Sequence, residues 1–370
     1  MGELIRNKVE LDAACAKVAQ TGVLALDTEF VWRRTYRPHL CVLQFAGADG
    51  ESFAVDCLAG LETSPLARLV EDASVVKVLH AAQQDLEHIR HFTGALPRNV
   101  FDTQMAAAFA GFASNMGLQK LLFDALKVGL PKTETLTNWM QRPLTPEQVE
   151  YALDDVRFLG RLREDLLRRA DELGTRAWLD EEMASFDDPE RYADPDPREV
   201  WQRVKTGHVA LDRRGFAVLR ELADVRERKA LEWNLPRAWV SEDLSLATLA
   251  NYNGPVGRIR FRHRLPNNWI RDSLAAAYAA ALEKAAALDE SEYPPNPHPY
   301  YIAEVKKAAD EAFEWLKTKA EELHVDAPAI ANRATITAFV DNIDDDSNPL
   351  ATGWRFEAVG REMAERFGVA

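Results

Sequence analysis

Four acidic residues stand where the surrounding pattern asks for apolar side chains. Asp27 and Glu29 lie in VLALDTEF (residues 23–30), a run apolar enough for a buried strand, and at a spacing of two they share one face of it. Asp85, in QQDLEHIRHF, is in helical register with Ile89 and Phe92. In EQVEYALDDVRFLGRLREDLL, Asp155 falls on an apolar stripe with Phe158, Leu162 and Leu166, and Tyr151 lies on that stripe one turn earlier. Glu150, Asp154, Arg157, Arg161 and Asp165 gather on the remaining side, so the projection puts Asp154 on the wet face and Asp155 on the apolar one.

One such acid is explained by a helix cap or a buried ion pair. Four carboxylates brought together repel one another and stay ionised only around cations. Hard oxygen ligands suit Mg²⁺ or Mn²⁺ better than zinc. Two such ions, about 4 Å apart, clamp the attacking and leaving oxygens of a phosphodiester displacement.

The elements that must position these acids are legible. VLALDTEF, LCVLQFAG (40–47), ESFAVDCL (51–58) and SVVKVLHA (74–81) read as strands, with GADG as a tight turn between the second and third. Helical patterns follow the fourth, which predicts a mixed sheet with helices packed on it. TPEQ supplies Thr145 as N-cap, Pro146 at the first helical position and Gln148 to close a capping box, and the helix is predicted to run to about Leu173. The Asp- and Pro-rich SFDDPERYADPDP (185–197) opens a linker, and YPPNPHP (293–299) separates two helical segments. The expected division is 1–184, a linker 185–208, a helical domain 209–290 and a last helical unit 291–370.

Composition narrows the function. The 370 residues carry a formal charge of −14, unlike a general nucleic-acid coat, so any nucleic-acid contact needs a local basic surface or bound cations. There is no long apolar run, no CxxC among three cysteines and no phosphate-binding glycine loop, and MGELIRNKVELD, which mixes charges without an apolar core, is not expected to act as a secretory signal. A cytoplasmic protein without a membrane span or ATP-driven step is expected, with a monomer as the default. VGRIRFRHR (256–264) places Arg258, Arg260, Arg262 and Arg264 on one face if extended, either an RNA-backbone contact or a solvated loop. Arg33, Arg34 and Arg37 follow the first acids and are either placed to meet substrate phosphates or ordinary solvated arginines. Gln44 and Trp139 are candidates to face a terminal nucleotide or to pack internally. Asp102 is a helix cap or a support for the acids, and His80 either orients a group near the acids or, the better reading, is a satisfied buried histidine. His88 and His91 have zinc-compatible spacing without a further motif to complete a site.

The segments LALDTEFVWRRTYRPHLCVLQ, HAAQQDLEHI, FDTQMAA and LTNWMQRPLTPEQVEYALDDVRFL resemble, in order and spacing, the exonuclease motifs of the ribonuclease D family, in the tyrosine-containing branch of the DEDD superfamily. The resemblance covers about the first 175 residues. Residues 209–290 resemble an HRDC domain, and 291–370 sit where the family carries a second, more divergent bundle of that kind. What the resemblance implies is a ribonuclease-H-like α/β exonuclease domain followed by two small all-α HRDC-like domains. It further implies two divalent ions, Mg²⁺ or Mn²⁺, with Asp27 bridging them, Glu29 and Asp155 completing one site and Asp85 serving the other. Tyr151 would orient the attacking water. The activity implied is removal of nucleotides one at a time from RNA 3′ ends as nucleoside 5′-monophosphates, with tRNA precursors bearing unpaired 3′ ends as substrates. A DNA-directed 3′→5′ exonuclease and an inactive nucleic-acid-binding scaffold are the alternatives. The sequence departs from some relatives at AAQQ, between His80 and Asp85, which lacks an acid before the aspartate.

Overall fold

The structure is a computed structural model describing residues 4–32, 34–131, 138–252, 268–296 and 301–369. By contacts the chain forms two compact units, one of residues 1–31, 40–192 and 301–370, the other of residues 32–39 and 193–300.

The first unit holds a five-stranded sheet in the order β3-β2-β1-β4-β5. Its strands are β1 (Val23–Val31), β2 (His39–Ala46), β3 (Ser52–Asp56), β4 (Val76–Leu79) and β5 (Val100–Asp102). β2 and β3 pair antiparallel, with Val42 opposite Asp56, whereas β4 runs parallel to both β1 and β5. The mixed sheet with flanking helices is therefore the observed architecture. Helix α1 (Lys8–Ala19) precedes β1, α2 (Ser64–Glu71) lies between β3 and β4, α3 (Gln83–Thr93) between β4 and β5, and α4 (Thr103–Phe109) and α5 (Leu118–Leu126) follow β5. The central strands are apolar on both faces, and residues such as Leu24, Leu26, Phe45, Val78 and Leu79 are buried in the main core.

The long helix expected from Thr145 is two helices, α6 (Pro146–Arg157) and α7 (Leu159–Leu173), broken at Phe158. Its start is as expected: Thr145 and Gln148 form the capping box. The break has a tertiary cause. The β2–β3 turn presses on it so closely that a Cβ on Gly160 would lie 3.2 Å from the Ala48 Cα, and one on Gly50 2.9 Å from the Arg157 carbonyl oxygen. Bending there lets α7 lie on the main core while α6 packs on a separate small core of Leu4, Cys41, Val42, Ala54, Trp139, Val149, Ala152 and Leu153. Helix α8 (Arg176–Ala184) completes this part of the unit.

The second unit is helical: α9 (Arg213–Trp233), α10 (Arg237–Val240), α11 (Asp243–Ala250) and α12 (Asn268–Ala286). Phe216, Leu219, Ala223 and Ala230 of α9 recur at helical spacing and face a core with Trp201, Leu246, Leu274 and Tyr278. Charged side chains interrupt that stripe, and each is paired. Glu221 meets Arg198 at 2.9 Å and Lys284 at 2.6 Å, and Arg226 meets Asp243 at 2.6 Å. Glu227, wholly buried, accepts from Arg237 Nε at 2.6 Å and from the Tyr36 hydroxyl. Tyr36 belongs to the segment joining β1 to β2, so that connection is part of the helical unit.

Helices α13 (Ala303–Leu323), α14 (Ala327–Ile330) and α15 (Arg333–Asp341), set apart as a separate unit in the sequence, cluster with the sheet. Asp326 accepts from the Ser114 amide and hydroxyl at 2.6 Å each, and Trp354 stacks on Trp178 and donates to Glu182 at 2.6 Å. No helix among the described residues is long and apolar enough to cross a membrane.

Candidate active site

Strand β1 and helix α6 bring three of the four acids together. One carboxylate oxygen each from Asp27, Glu29 and Asp155 lie within 4.8 Å of one another, and all three side chains are half-buried. Asp85 enters from the first turn of α3 and accepts a hydrogen bond from the hydroxyl of Thr28, the residue between the two β1 acids. Thr28 is a partner that spacing alone does not reveal.

The electrostatics are those of a repelling cluster. Burial, then Asp85, Asp155 and Glu29, push the Asp27 carboxyl well above the usual range. Burial and its acidic neighbours raise Glu29 to about 8, and burial followed by Asp154 raises Asp155 to about 7. Asp85 is raised to about 6, chiefly by burial, against the lowering effect of Thr28. Such a set favours protonation unless positive charge is supplied. Three converging hard-oxygen donors fit a divalent cation of the Mg²⁺ or Mn²⁺ kind. Among the described residues no other group of three His, Cys, Asp or Glu side chains converges in this way, and the His88–His91 pair gains no such company. His88 instead packs edge-on against Phe30 at 4.3 Å.

Tyr151 is half-buried on α6, and burial followed by Asp155, Glu29 and Asp27 raises its phenol above the ordinary value. It therefore holds its proton at neutral pH and is a hydrogen-bond donor. Asp154 differs from its expected place. It is 9% exposed rather than wet, and Arg157 folds back to pair with it and with Glu150, at 2.9 Å for the latter. Its charge is met by arginine, and it is not one of the three converging acids.

Asp102 caps α4 and also braces the turn ahead of α3. Its carboxylate accepts from the amides of Gln104 at 2.8 Å, Ala81 at 3.0 Å and Ala82 at 2.9 Å. Ala81 has φ +59°, a left-handed conformation uncommon for a residue with a Cβ. Asp102→Ala should release that turn and let Asp85 drift, lowering stability by about 1–3 kcal/mol and turnover by about tenfold. Asp102→Asn, which keeps one acceptor oxygen, should lose less in both denaturant titration and nuclease assay. His80 is satisfied by the protein: Nε2 donates to the Met116 carbonyl at 2.9 Å and Nδ1 lies 3.0 Å from the Thr103 hydroxyl.

Gln44 has no exposed surface, and its Nε2 lies 3.5 Å from Asp27 Oδ2. Trp139 is 7% exposed and packs against Tyr151, ring centroids 6.2 Å apart. Arg34 is exposed, with its guanidinium 5.8 Å from the Trp239 ring. Arg33 and the arginines 258, 260, 262 and 264 lie outside the described residues.

The chain is similar to known proteins over most of its length. The family model described as 3′-5′ exonuclease matches residues 3–171. A ribonuclease D of Zymomonas mobilis is 35% identical over 367 residues, spanning 97% of this chain and 92% of the relative. One from Sphingobium indicum is 34% identical over 370 residues, spanning 98% and 93%. The crystal structure of Escherichia coli RNase D, an exoribonuclease involved in structured RNA processing, is similar over 100% of both chains, with a TM-score of 0.84 at 28% identity. This chain belongs to the ribonuclease D family, and its acidic cluster lies within the matched 3′-5′ exonuclease region.

Proposed function

We propose that the protein is a 3′→5′ exoribonuclease that hydrolyses the terminal phosphodiester bond of RNA and releases nucleoside 5′-monophosphates one at a time. The observation that carries this reading is the convergence of Asp27, Glu29 and Asp155, with Asp85 and Tyr151 beside them. In it, the four acids would hold two divalent cations, Mg²⁺ or Mn²⁺, with Asp27 contributing to both, Glu29 and Asp155 to one, and Asp85, hydrogen-bonded by Thr28, to the other. Bound there, the cations supply activation of the attacking water and neutralisation of charge on the departing 3′ oxygen. Tyr151 keeps its proton and donates a hydrogen bond, so its part is to aim the nucleophile rather than to deprotonate it. No covalent enzyme intermediate is required.

The substrates fitting this reading are RNAs with unpaired 3′ ends, tRNA precursors among them. In this reading residues 209–290, with Trp201 packed into their core, act as an HRDC domain, and the last helical segment, which clusters with the sheet, is a divergent bundle of the same kind. Arg33, Arg34 and the stripe Arg258, Arg260 and Arg262 are the proposed backbone contacts in an otherwise acidic chain. The enzyme works in the cytoplasm as a monomer, without ATP.

The test is a gel assay on matched 5′-labelled RNA and DNA strands with single-stranded 3′ ends, in Mg²⁺, Mn²⁺ and EDTA. A one-nucleotide ladder on RNA is expected, abolished by EDTA and by Asp155→Asn and retained in Asp154→Asn. Equal or faster degradation of DNA would keep the chemistry and overturn the substrate. Absence of any metal-dependent ladder would leave a nucleic-acid-binding scaffold.

A further inference from the structure

The small core beneath α6 is fastened by one guanidinium. Arg142 donates from Nε and Nη2 to Asp56 Oδ1 at 3.0 and 2.7 Å, from Nη2 to the Cys41 carbonyl at 2.9 Å, and from Nη1 to the carbonyls of Trp139 and Gln141 at 2.7 and 2.8 Å. Asp56 ends β3 and Cys41 lies in β2, so this one side chain ties residues 139–142 to both strands of the hairpin. Its acceptor is well prepared. Burial would raise the Asp56 carboxyl, but Arg142, the Leu58 amide and Arg6 outweigh it and hold it below its ordinary value. A planar fork with several donors can fill all these positions at once, which a lysine ammonium cannot.

What the fork holds in place is Trp139. Its indole is buried among Val42, Ala54, Val149 and Leu153, and its ring lies 31° from the plane of Tyr151. Tyr151 packs against this small core, its ring centroid 6.2 Å from the indole, so the indole is a wall that limits how the phenol can turn.

We propose that Arg142 is a positioning residue for Tyr151, acting through Trp139 to fix the direction in which the phenol presents its hydroxyl to the acidic cluster. The proposal rests on the reading of Tyr151 as the group that orients the nucleophile.

The test is a double-mutant comparison: Arg142→Gln, Tyr151→Phe and the pair together, in steady-state kinetics on RNA with a single-stranded 3′ end. The rise in melting temperature caused by Mn²⁺ is measured on each. Arg142→Gln is expected to lower kcat about tenfold, with KM within about twofold and the Mn²⁺ response kept. In the Tyr151→Phe background the same change should cost nothing more, since the group it positions is already gone. If Arg142→Gln does not fold, Arg142→Lys, which keeps the charge but not the fork, carries the same comparison. An equal further loss in the Tyr151→Phe background, a change in KM alone, or loss of the Mn²⁺ response overturns the proposal while leaving the exonuclease reading intact. Full activity of Tyr151→Phe overturns the reading of Tyr151 and the proposal with it.

Discussion

Asp27→Asn should abolish turnover and at the same time stabilise the metal-free protein. Asp27 is the acid most enclosed by the others, with burial and three carboxylates all raising its pKa. The substitution removes a ligand proposed to touch both cations, and a loss of at least about a thousandfold in kcat is expected. The stability effect has the opposite sign. In the unfolded chain Asp27 ionises freely near its ordinary value, whereas in the folded chain it must either hold a proton or face its neighbours charged. A neutral amide of nearly the same shape avoids both costs. Thermal unfolding in EDTA at pH 8 should therefore give a melting temperature a few degrees above wild type. A variant both inactive and less stable would mean that Asp27 supports the fold rather than strains it.

The second large effect concerns pH and metal together. Glu29, Asp155 and Asp85 have folded values of about 8, 7 and 6, all above their ordinary carboxyl values. From about pH 4 up to pH 8 the folded state thus binds more protons than the unfolded state, and metal-free stability must fall as pH rises through that window. Divalent ions bind the ionised forms, so they compete with these protons. At pH 7 binding should release about two protons, counted by calorimetry in buffers of different ionisation enthalpy. The Mn²⁺-induced rise in melting temperature should likewise be several degrees larger at pH 8 than at pH 6. A proton count near zero, or a rise independent of pH, would mean that the acids are already ionised without metal.

Much of the site can be read from one dimension because it is written in local periodicity. Period two puts Asp27 and Glu29 on one strand face, and helical spacing puts Tyr151 beside Asp155, without knowledge of what packs on either. The features that escape such reading are those imposed from far along the chain. The apolar pattern runs unbroken through Phe158, and the break appears only because Ala48 approaches Gly160. Asp154 reads as wet because its own helix supplies nothing apolar at that position. It is buried because the fold covers it, and Arg157 on the next turn makes that tolerable. β5 has three residues, too few for alternation to show. Arg142 reads as an ordinary loop charge, since Asp56 and the Cys41 carbonyl are 86 and 101 residues away in sequence.

The segment between β1 and β2 has a consequence for how this molecule can be cut. Because residues 32–39 belong to the helical unit, the chain crosses between the two units at four peptide bonds, 31–32, 39–40, 192–193 and 300–301. A single proteolytic nick in the Asp- and Pro-rich stretch would leave three of those links unbroken. No contiguous gene fragment can hold the helical unit by itself either: residues 193–300 alone would leave Glu227 buried beside Arg237 without the Tyr36 hydroxyl that both engage. Exchanging that unit between relatives is therefore a two-piece graft, in which eight residues from the middle of the nuclease must travel with the helices.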